Sequence, residues 1–275
     1  MHFAPLHVPP ALELIHAARE RSPHVRQFVC LDTVFHATLP EEASVLALPR
    51  EYREQGVRRY GFHGLSYESI VERLQPEVPA RTVVAHLGSG ASLAALAHGV
   101  SMDTTMGFTP TGGIPMGTRT GDLDPGVLLW LLRQGHLDAE ALESRVNHDA
   151  GLAALSGGTS DLAELTKAAD AGDAPAALAL TVFVRSIAKT IGAYAAVLGG
   201  LDLLVFTGGI GENSPRVRQR VCEMLTHLDV HLDTPRNEDG PGFISRPGSR
   251  TTVRVMPSEE ELQIARHTRR LLGAA

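Results

Sequence analysis

The sequence lacks the features that mark secreted proteins, cysteine-based metal sites and nucleic-acid-binding proteins. Its 275 residues include two cysteines, Cys30 and Cys222, which lie too far apart for a metal-binding spacing. So few cysteines are typical of the reducing cytoplasm and not of a disulfide framework. The net charge is −6 and no run of lysine and arginine forms a basic patch, which argues against a nucleic-acid partner.

Long apolar runs are also missing, because Lys189 and Asp202 interrupt the most apolar stretch, from Ile187 to Phe206. The first residues lack a basic region followed by an apolar core, so they do not predict a secretory signal. We therefore expect a cytoplasmic protein with no membrane partner. A hydrophobic content of 43% and a charged content of 20% are ordinary for a globular chain, and this length can bury one sizeable core or two modest ones.

A glycine-rich stretch in the first half of the chain carries the strongest functional signal. Thr82 to Leu87 is apolar and β-branched enough for a strand, and Gly88-Ser89-Gly90 ends it with a turn that lets the backbone approach a ligand closely. Ala91 to His98 and Val100 to Thr105 predict two further strands in a hairpin.

The loop after these strands places an arginine between two glycines, in GTRTGD at 117–122. Amide groups of a glycine turn and a guanidinium group both donate hydrogen bonds to anionic oxygens, so the stretch predicts a phosphate-handling site. The alternative is that Arg119 is an ordinary loop arginine that pairs with Asp122.

Several segments resemble those by which acetate kinases are recognised. In chain order they are APLH at 4–7, RRYGFHG at 58–64, AHLGSGASLAAL at 85–96, MDTTMGFTP at 102–110, MGTRTGDLDP at 116–125, FTGGIGENS at 206–214 and SEEELQIAR at 258–266. The first of these normally lies well inside the family's chain, after a lobe with its own glycine-rich phosphate loop. The sequence therefore resembles an acetate kinase that lacks most of the N-terminal lobe.

The resemblance implies an α/β fold of the actin and sugar-kinase type, which is ribonuclease H-like, with two lobes facing a nucleotide cleft. We expect residues 1–35 to be a remnant of the N-terminal lobe and residues 36–257 to be a nearly complete C-terminal, nucleotide-binding lobe. Residues 258–275 are expected to form a C-terminal helix, for which packing on the N-terminal lobe is one option. Without most of the N-terminal lobe, the surface that normally packs against it would be uncovered and would expose apolar side chains.

The implied activity is reversible, Mg²⁺-dependent transfer of the ATP γ-phosphoryl group to acetate, which gives acetyl phosphate and ADP. The implied partners are ATP or ADP, a short-chain carboxylate or acyl phosphate, and a second copy of the chain in a homodimer. Three alternatives remain open from the sequence: a non-catalytic nucleotide-binding remnant, a kinase for propionate or another short acid, and an ATP-hydrolysing switch.

The resemblance implies catalytic roles for Asp32, His63 and Arg119. Without it, Asp32 reads most simply as a turn cap and His63 as a structural hydrogen-bonding residue. With it, Arg119 and His63 contact the equatorial oxygens of the transferring phosphoryl group, and Asp32 orients the reactants. Glu260 matches the family's position near Mg²⁺, where a hard oxygen ligand is expected.

The same resemblance implies two sets of nucleotide-binding residues. The first set is His86, Leu87, Gly88, Ser89 and Gly90, of which the three residues of the glycine turn would hold phosphates. The second, for the nucleoside, is Asp161, Leu162, Ala163, Gly209, Ile210, Gly211, Glu212 and Asn213. The family usually has asparagine in place of Ser89, arginine against the adenine in place of Ala163, and a second histidine in place of Tyr67. Losing that arginine would remove a stacking contact worth about 1 kcal/mol. Capping of a helix is an equally good local role for Asp161.

Further elements follow from hydrophobic periodicity. Pro10 to Arg21 and Ala174 to Leu198 predict helices, and Val25 to Leu31 predicts a short strand. Asp124 and Pro125 predict the start of a helix whose apolar run, 127–132, reads most simply as core. At the last helix, Ser258 and Glu261 match a capping box.

Overall fold

A computed structural model describes residues 8–273, and the segment at Ala4–His7 that resembles the family lies outside them. Its centre is a six-stranded mixed sheet with the order β3-β2-β1-β4-β6-β5. The strands are β1 Arg81–Leu87, β2 Ala91–Ala97, β3 Val100–Thr104, β4 Leu203–Thr207, β5 Gly242–Phe243 and β6 Thr252–Val255.

Helices cover both faces of this sheet. They are α1 Val8–Arg21, α2 Glu41–Ser44, α3 Arg50–Glu54, α4 Gly64–Leu74, α5 Pro125–Arg133, α6 Ala139–Asn147, α7 Gly151–Ser156, α8 Leu162–Asp170, α9 Ala174–Leu198, α10 Gly208–Asn213, α11 Pro215–Glu223, α12 Thr234–Asp239 and α13 Glu260–Leu271. Two short 3₁₀ helices lie at Val34–Thr38 and Thr226–Leu228.

The pairing of β1 with its two neighbours positions the glycine segments. β1 and β2 are antiparallel, with Leu87 opposite Ala91, so Gly88-Ser89-Gly90 is the tight turn that the sequence predicts. β1 and β4 are parallel, with His86 beside Thr207. Because the carboxyl ends of parallel strands share one edge of a sheet, the glycine turn after β1 and the glycine segment after β4 lie next to each other.

The larger core lies between the sheet and α9. Phe183, Ile187 and Ile191 of this helix are buried with Leu93 and Phe206 of the sheet. α9 is the one helix within residues 8–273 that is long and apolar enough to cross a membrane. Ten of its residues are buried, so core packing explains its composition. On the other face of the sheet, Tyr67 and Ile70 of α4 form a smaller core.

The predicted strand from Val25 to Leu31 is wrong. The backbone there joins no ladder of the sheet, and the side chains of Val25, Val29 and Leu31 are largely exposed. A strand needs a hydrogen-bonded neighbour as well as β-branched residues, and no strand among the described residues runs beside this segment. The segment connects α1 to Asp32 without regular secondary structure.

The predicted burial of the α5 apolar run is also wrong. Asp124 caps the helix by accepting from Gly126 N, and Pro125 begins it, as predicted. However, α5 buries none of its residues, and Trp130 is 59% exposed. An apolar run indicates that burial of its side chains would be favourable, but it does not indicate whether another element packs over them.

The predicted capping box at the last helix is absent, because α13 begins at Glu260 and its N-cap, Glu259, makes no side-chain cap. The hydroxyl of Ser258 bonds elsewhere, as described below. α13 packs on α4, where His267 Nε2 lies 2.7 Å from Glu68 Oε2 and Arg266 NH1 lies 3.2 Å from Glu72 Oε2. The domain boundaries at 35/36 and 257/258 remain predictions.

Candidate active site

A cleft of about 700 Å³ opens beside the glycine turn that follows β1. Its lining includes all three predicted catalytic residues, the predicted metal residue and two residues of the glycine turn: Asp32, His63, Ser89, Gly90, Arg119 and Glu260. These residues come from five separate segments of the chain, so the fold brings them together where the sequence alone could only place each in its own motif.

Asp32 and His63 are held to each other at the start of α4. Asp32 Oδ2 accepts from His63 N at 2.5 Å, and Oδ1 accepts from Leu65 N at 3.2 Å. The carboxylate therefore satisfies two amide groups at the helix N terminus, where a negative charge is favourable. His63 has φ 57°, a left-handed conformation that is rare for residues other than glycine. Asp32 thus caps the distant helix α4, whereas its local sequence predicts a turn cap, and it also lines the cleft.

The ring of His63 is fixed on two sides. Its Nδ1 lies 2.9 Å from Ser92 Oγ, and its face stacks on His86 with ring centroids 4.2 Å apart. A Cβ at Gly90 would lie 3.4 Å from His63 Nε2 and 3.5 Å from Arg119 NH1. Because Gly90 has no side chain, Nε2 and the guanidinium group face the same small volume beside the glycine turn.

Arg119 contacts neutral acceptors. Its NH1 donates to Pro110 O at 3.1 Å and to Met116 Sδ at 3.7 Å. The alternative pairing with Asp122 is wrong, since Asp122 Oδ1 instead accepts from Gly113 N at 2.7 Å. Within residues 8–273 no carboxylate neutralises the guanidinium in an ion pair, and burial lowers the pKa of Arg119, although arginine still keeps its charge. A desolvated cation of this kind attracts an anionic ligand.

A chain of hydroxyl groups connects the end of β1 to the start of α13. His86 Nδ1 lies 2.8 Å from Ser66 Oγ, and Ser258 Oγ lies 3.1 Å from both Ser66 Oγ and Glu260 Oε1. Burial, together with nearby His63, lowers the pKa of His86 to about 3, so its imidazole is neutral at physiological pH. These hydrogen bonds connect Glu260 to β1, the strand that the glycine turn follows.

Asp32 and Glu260 provide two carboxylates in the cleft. Burial raises the pKa of Glu260; a hydrogen bond from Ser258 opposes this rise, and the charge of Asp32 adds to it. Among the described residues, no group of three or more histidine, cysteine, aspartate or glutamate side chains could hold a metal by itself. The two carboxylates of this cleft are donors of the kind through which proteins commonly bind Mg²⁺, together with phosphate oxygens and water.

A second cavity of about 720 Å³ lies between α8 and the segment after β4. Six of the predicted nucleoside residues line it: Asp161, Leu162, Ala163, Gly209, Ile210 and Asn213. Asp161 Oδ1 also accepts from Glu164 N at 2.9 Å, so it caps α8 as its local sequence suggests. Position 163, where the family commonly has arginine, places only a methyl group at this cavity.

The remaining predicted nucleotide residues line neither cavity. The side chains of His86 and Leu87 are buried, so Leu87 can offer a ligand only its backbone. Gly211 is buried, and Glu212 Oε1 accepts from Gly208 N and Ser258 N, both at 3.0 Å. Glu212 therefore stabilises the bend between β4 and α10.

Sequence reasoning missed two kinds of residue here. Lys167 lines the second cavity one helical turn after Ala163, and i, i+4 spacing on α8 could have indicated it. Ser92 on β2 contacts His63, and Tyr67 on α4 contacts Ser92. No sequence signal pointed to that contact, because it joins separate elements.

Comparisons with known proteins agree with this geometry. The profile of the Acetokinase family matches residues 1–266. An acetate kinase of Methylocella silvestris is 49% identical to this chain, over 98% of the chain and 67% of that protein. A propionate kinase of Citrobacter rodentium is 44% identical, over 98% of the chain and 68% of that protein. The chain thus spans about two thirds of the length of these relatives.

A solved structure supports the same assignment. The crystal structure of Porphyromonas gingivalis acetate kinase matches with a TM-score of 0.90 and 40% identity, over 98% of this chain and 69% of that chain. The predicted fold class, an α/β lobe of the actin and sugar-kinase type, is confirmed. The motifs, the fold and the family profile converge, and the chain belongs to the Acetokinase family.

Proposed function

We propose that this protein is an acetate kinase-type phosphotransferase, which transfers the γ-phosphoryl group of ATP reversibly to acetate and forms acetyl phosphate and ADP. The observation that carries the proposal is the convergence of His63 Nε2 and Arg119 NH1 beside Gly90, in a cleft that also contains Asp32 and Glu260. Acetate kinases and a propionate kinase among the relatives support the same reaction class.

The chemistry needs little acid–base catalysis, because a carboxylate is already a nucleophile. The transition state of phosphoryl transfer spreads negative charge over equatorial oxygens, so positioning and donors aimed at those oxygens supply the catalysis. Arg119 is the cation for this charge and His63 is a second donor. Asp32 holds the backbone of His63 in place. Mg²⁺, held with Glu260 and Asp32 nearby, would neutralise phosphate charge when bound.

The two cavities divide the nucleotide between them in this proposal. The backbone of Gly88, Ser89 and Gly90 contacts phosphates, and the cavity between α8 and the segment after β4 holds the nucleoside. Their adjacency follows from the parallel pairing of β1 and β4. With Ala163 in place of arginine, the base loses a stacking partner, so nucleotide binding should be weaker or less selective for the base.

A short acid other than acetate is a second candidate substrate. The cleft has apolar walls from Val29, Leu31 and Phe108, which would accept a short alkyl chain. One relative is named a propionate kinase. We also propose that the protein is cytoplasmic, in keeping with its free Cys30 and Cys222, and that it forms a homodimer.

The test is acetyl phosphate formation from acetate and Mg-ATP by the purified 275-residue chain, trapped with hydroxylamine. Arg119→Ala and His63→Ala should each lower kcat by about 10²- to 10³-fold, the usual cost of removing a transition-state donor. Full turnover by either variant would contradict its role. A folded chain that binds ATP without turnover would instead support the non-catalytic alternative.

A further inference from the structure

A buried hydroxyl pair lies behind the catalytic histidine. Ser92 Oγ lies 2.9 Å from His63 Nδ1, and the same oxygen is hydrogen-bonded to the hydroxyl of Tyr67. Ser92 and Tyr67 are both fully buried, one on β2 and the other on α4. The ring of Tyr67 is held by Phe35 and His36, with centroids 5.9 Å and 5.4 Å away. Neither hydroxyl can therefore turn towards water.

The protons in the hydrogen-bonded series from Tyr67 through Ser92 to His63 can be assigned by counting donors and acceptors. The hydroxyl of Tyr67 bonds only to Ser92 among the described residues, and burial raises its pKa, so it keeps its proton. A buried O–H group without an acceptor is costly, so Tyr67 donates to Ser92 Oγ. Ser92 must then direct its own proton to His63, and Nδ1 can accept it only if that nitrogen carries no hydrogen.

A second histidine in the same molecule shows this arrangement without ambiguity. His36 Nε2 lies 3.1 Å from Phe62 O, and its Nδ1 lies 2.8 Å from Ser101 Oγ. A carbonyl oxygen only accepts, so Nε2 carries the hydrogen and Nδ1 accepts from the serine. Burial lowers the pKa of His36 to about 4, so the ring is neutral and has this single tautomer.

We propose that Ser92, oriented by Tyr67, is a positioning residue that holds His63 as the neutral tautomer with its hydrogen on Nε2. That N–H group faces the volume shared by Gly90 and Arg119, where it donates to an anionic oxygen without a protonated imidazole. The inference rests on the proposed function for its catalytic consequence. The tautomer itself is a property of the folded chain and can be measured without turnover.

The experiment is long-range ¹H–¹⁵N correlation of histidine-labelled full-length protein at mildly alkaline pH, with His63→Gln to assign its signals. Wild-type protein should show the pattern of the Nε2–H tautomer at His63. Ser92→Ala should show a mixture of tautomers, with kcat lowered roughly 2-fold for comparable populations, because the donor is then present only part of the time. Ser92→Thr, which keeps the hydroxyl, should restore the wild-type pattern. Ser101→Ala removes the same kind of bond from His36 and should leave the His63 signals unchanged.

An Nδ1–H pattern in wild-type protein, or an unchanged pattern in Ser92→Ala, would overturn the inference. If Ser92→Ala does not fold, the same spectrum of Tyr67→Phe tests the inference. This variant loses only the hydroxyl that donates to Ser92, so both tautomers of His63 should appear. If the expected tautomer is found in a chain without phosphotransferase activity, the positioning role stands and the proposed function fails. If an active enzyme has the other tautomer, the proposed function stands and the positioning role of Ser92 fails.

Discussion

At the scale of single residues, this molecule uses histidine in two opposite ways. His36 and His86 are buried, and burial lowers their pKa values to about 4 and about 3, whereas His63 lines the open cleft. The buried pair depends on serine partners, Ser101 and Ser66, which supply hydrogen bonds to an uncharged ring. Folding therefore requires these two rings to stay neutral.

Acid should consequently destabilise the protein well before its carboxylates are protonated. Below about pH 6.5 the unfolded chain binds a proton at His36 and at His86, while the folded chain does not until about pH 4 and pH 3. Above the pKa of the unfolded chain neither histidine lowers the free energy of unfolding. Below it, and down to the folded pKa, that free energy falls by about 1.4 kcal/mol per pH unit for each histidine. Urea unfolding between pH 7 and pH 5 measures this slope.

The matched variant for this prediction is His36→Asn. It should be less stable than the wild type at neutral pH, because a buried ring and its hydrogen bonds are lost. Its pH slope should be about half that of the wild type, since only His86 then titrates in this way. A wild-type stability that does not change between these pH values would contradict the buried, neutral state of both rings.

At the scale of elements, the start of α4 determines the geometry of the candidate site. The helix begins at Gly64, directly after His63, and its first amide groups bond to Asp32. A Cβ at Gly64 would lie 2.1 Å from Asp32 O, so the helix can approach this backbone only with glycine there. The close approach fixes the distance between two predicted catalytic residues.

Gly64→Ala should therefore destabilise the fold, by about 2 kcal/mol or more, because backbone must move to relieve the overlap. The same change should lower turnover, since Asp32 and His63 would separate. Gly192→Ala is the matched control: a Cβ there meets nothing within 4 Å, and alanine favours the interior of α9. It should leave the stability unchanged or raise it by up to about 1 kcal/mol. Urea midpoints and kcat, compared for the two variants, measure both effects.

The elements that the sequence predicted well are those with strong local signals. The hairpin of β1, β2 and β3, the cap of α5 by Asp124 and the end of α9 at Gly199 all follow from turn and capping residues. The segment from Val25 to Leu31 and the burial of α5 were wrong, because both depend on which other element is adjacent. The contact of Ser92 with His63 was missed for the same reason.

At the scale of the whole molecule, apolar surface is exposed on α1, on the segment after it and on α13. Leu14 on α1, Leu31 after it and Leu271 on α13 are all largely exposed. α1 and the segment that follows it border a shallow groove of about 790 Å³, lined by Leu14, Ile15 and Val29 among others. Exposed apolar area of this extent commonly indicates an interaction surface or a tendency to associate.

We expect the chain to associate with itself through this surface at high concentration. Leu14→Gln should reduce the association, because Leu14 is 72% exposed at the edge of the groove. Leu178→Gln is the matched control, since this leucine of α9 is 54% exposed and does not line the groove. Sedimentation velocity over a concentration series measures the difference. A wild-type chain that stays monomeric throughout would contradict both this prediction and the proposed homodimer.

The parallel pairing of β1 and β4 has a consequence for the proposed binding of nucleotides. Neighbouring strands in any sheet lie about 4.8 Å apart, and this spacing cannot be altered by side-chain substitution. The glycine turn that we propose contacts phosphates follows β1, which ends beside Thr207 of β4, and the segment that we propose contacts the nucleoside follows β4. In that proposal the sheet fixes the distance between the two ends of the ligand. We therefore expect a change in preferred phosphate-chain length to come from the loops after β1 and β4, and a change of preferred base to come from α8, which lines the second cavity.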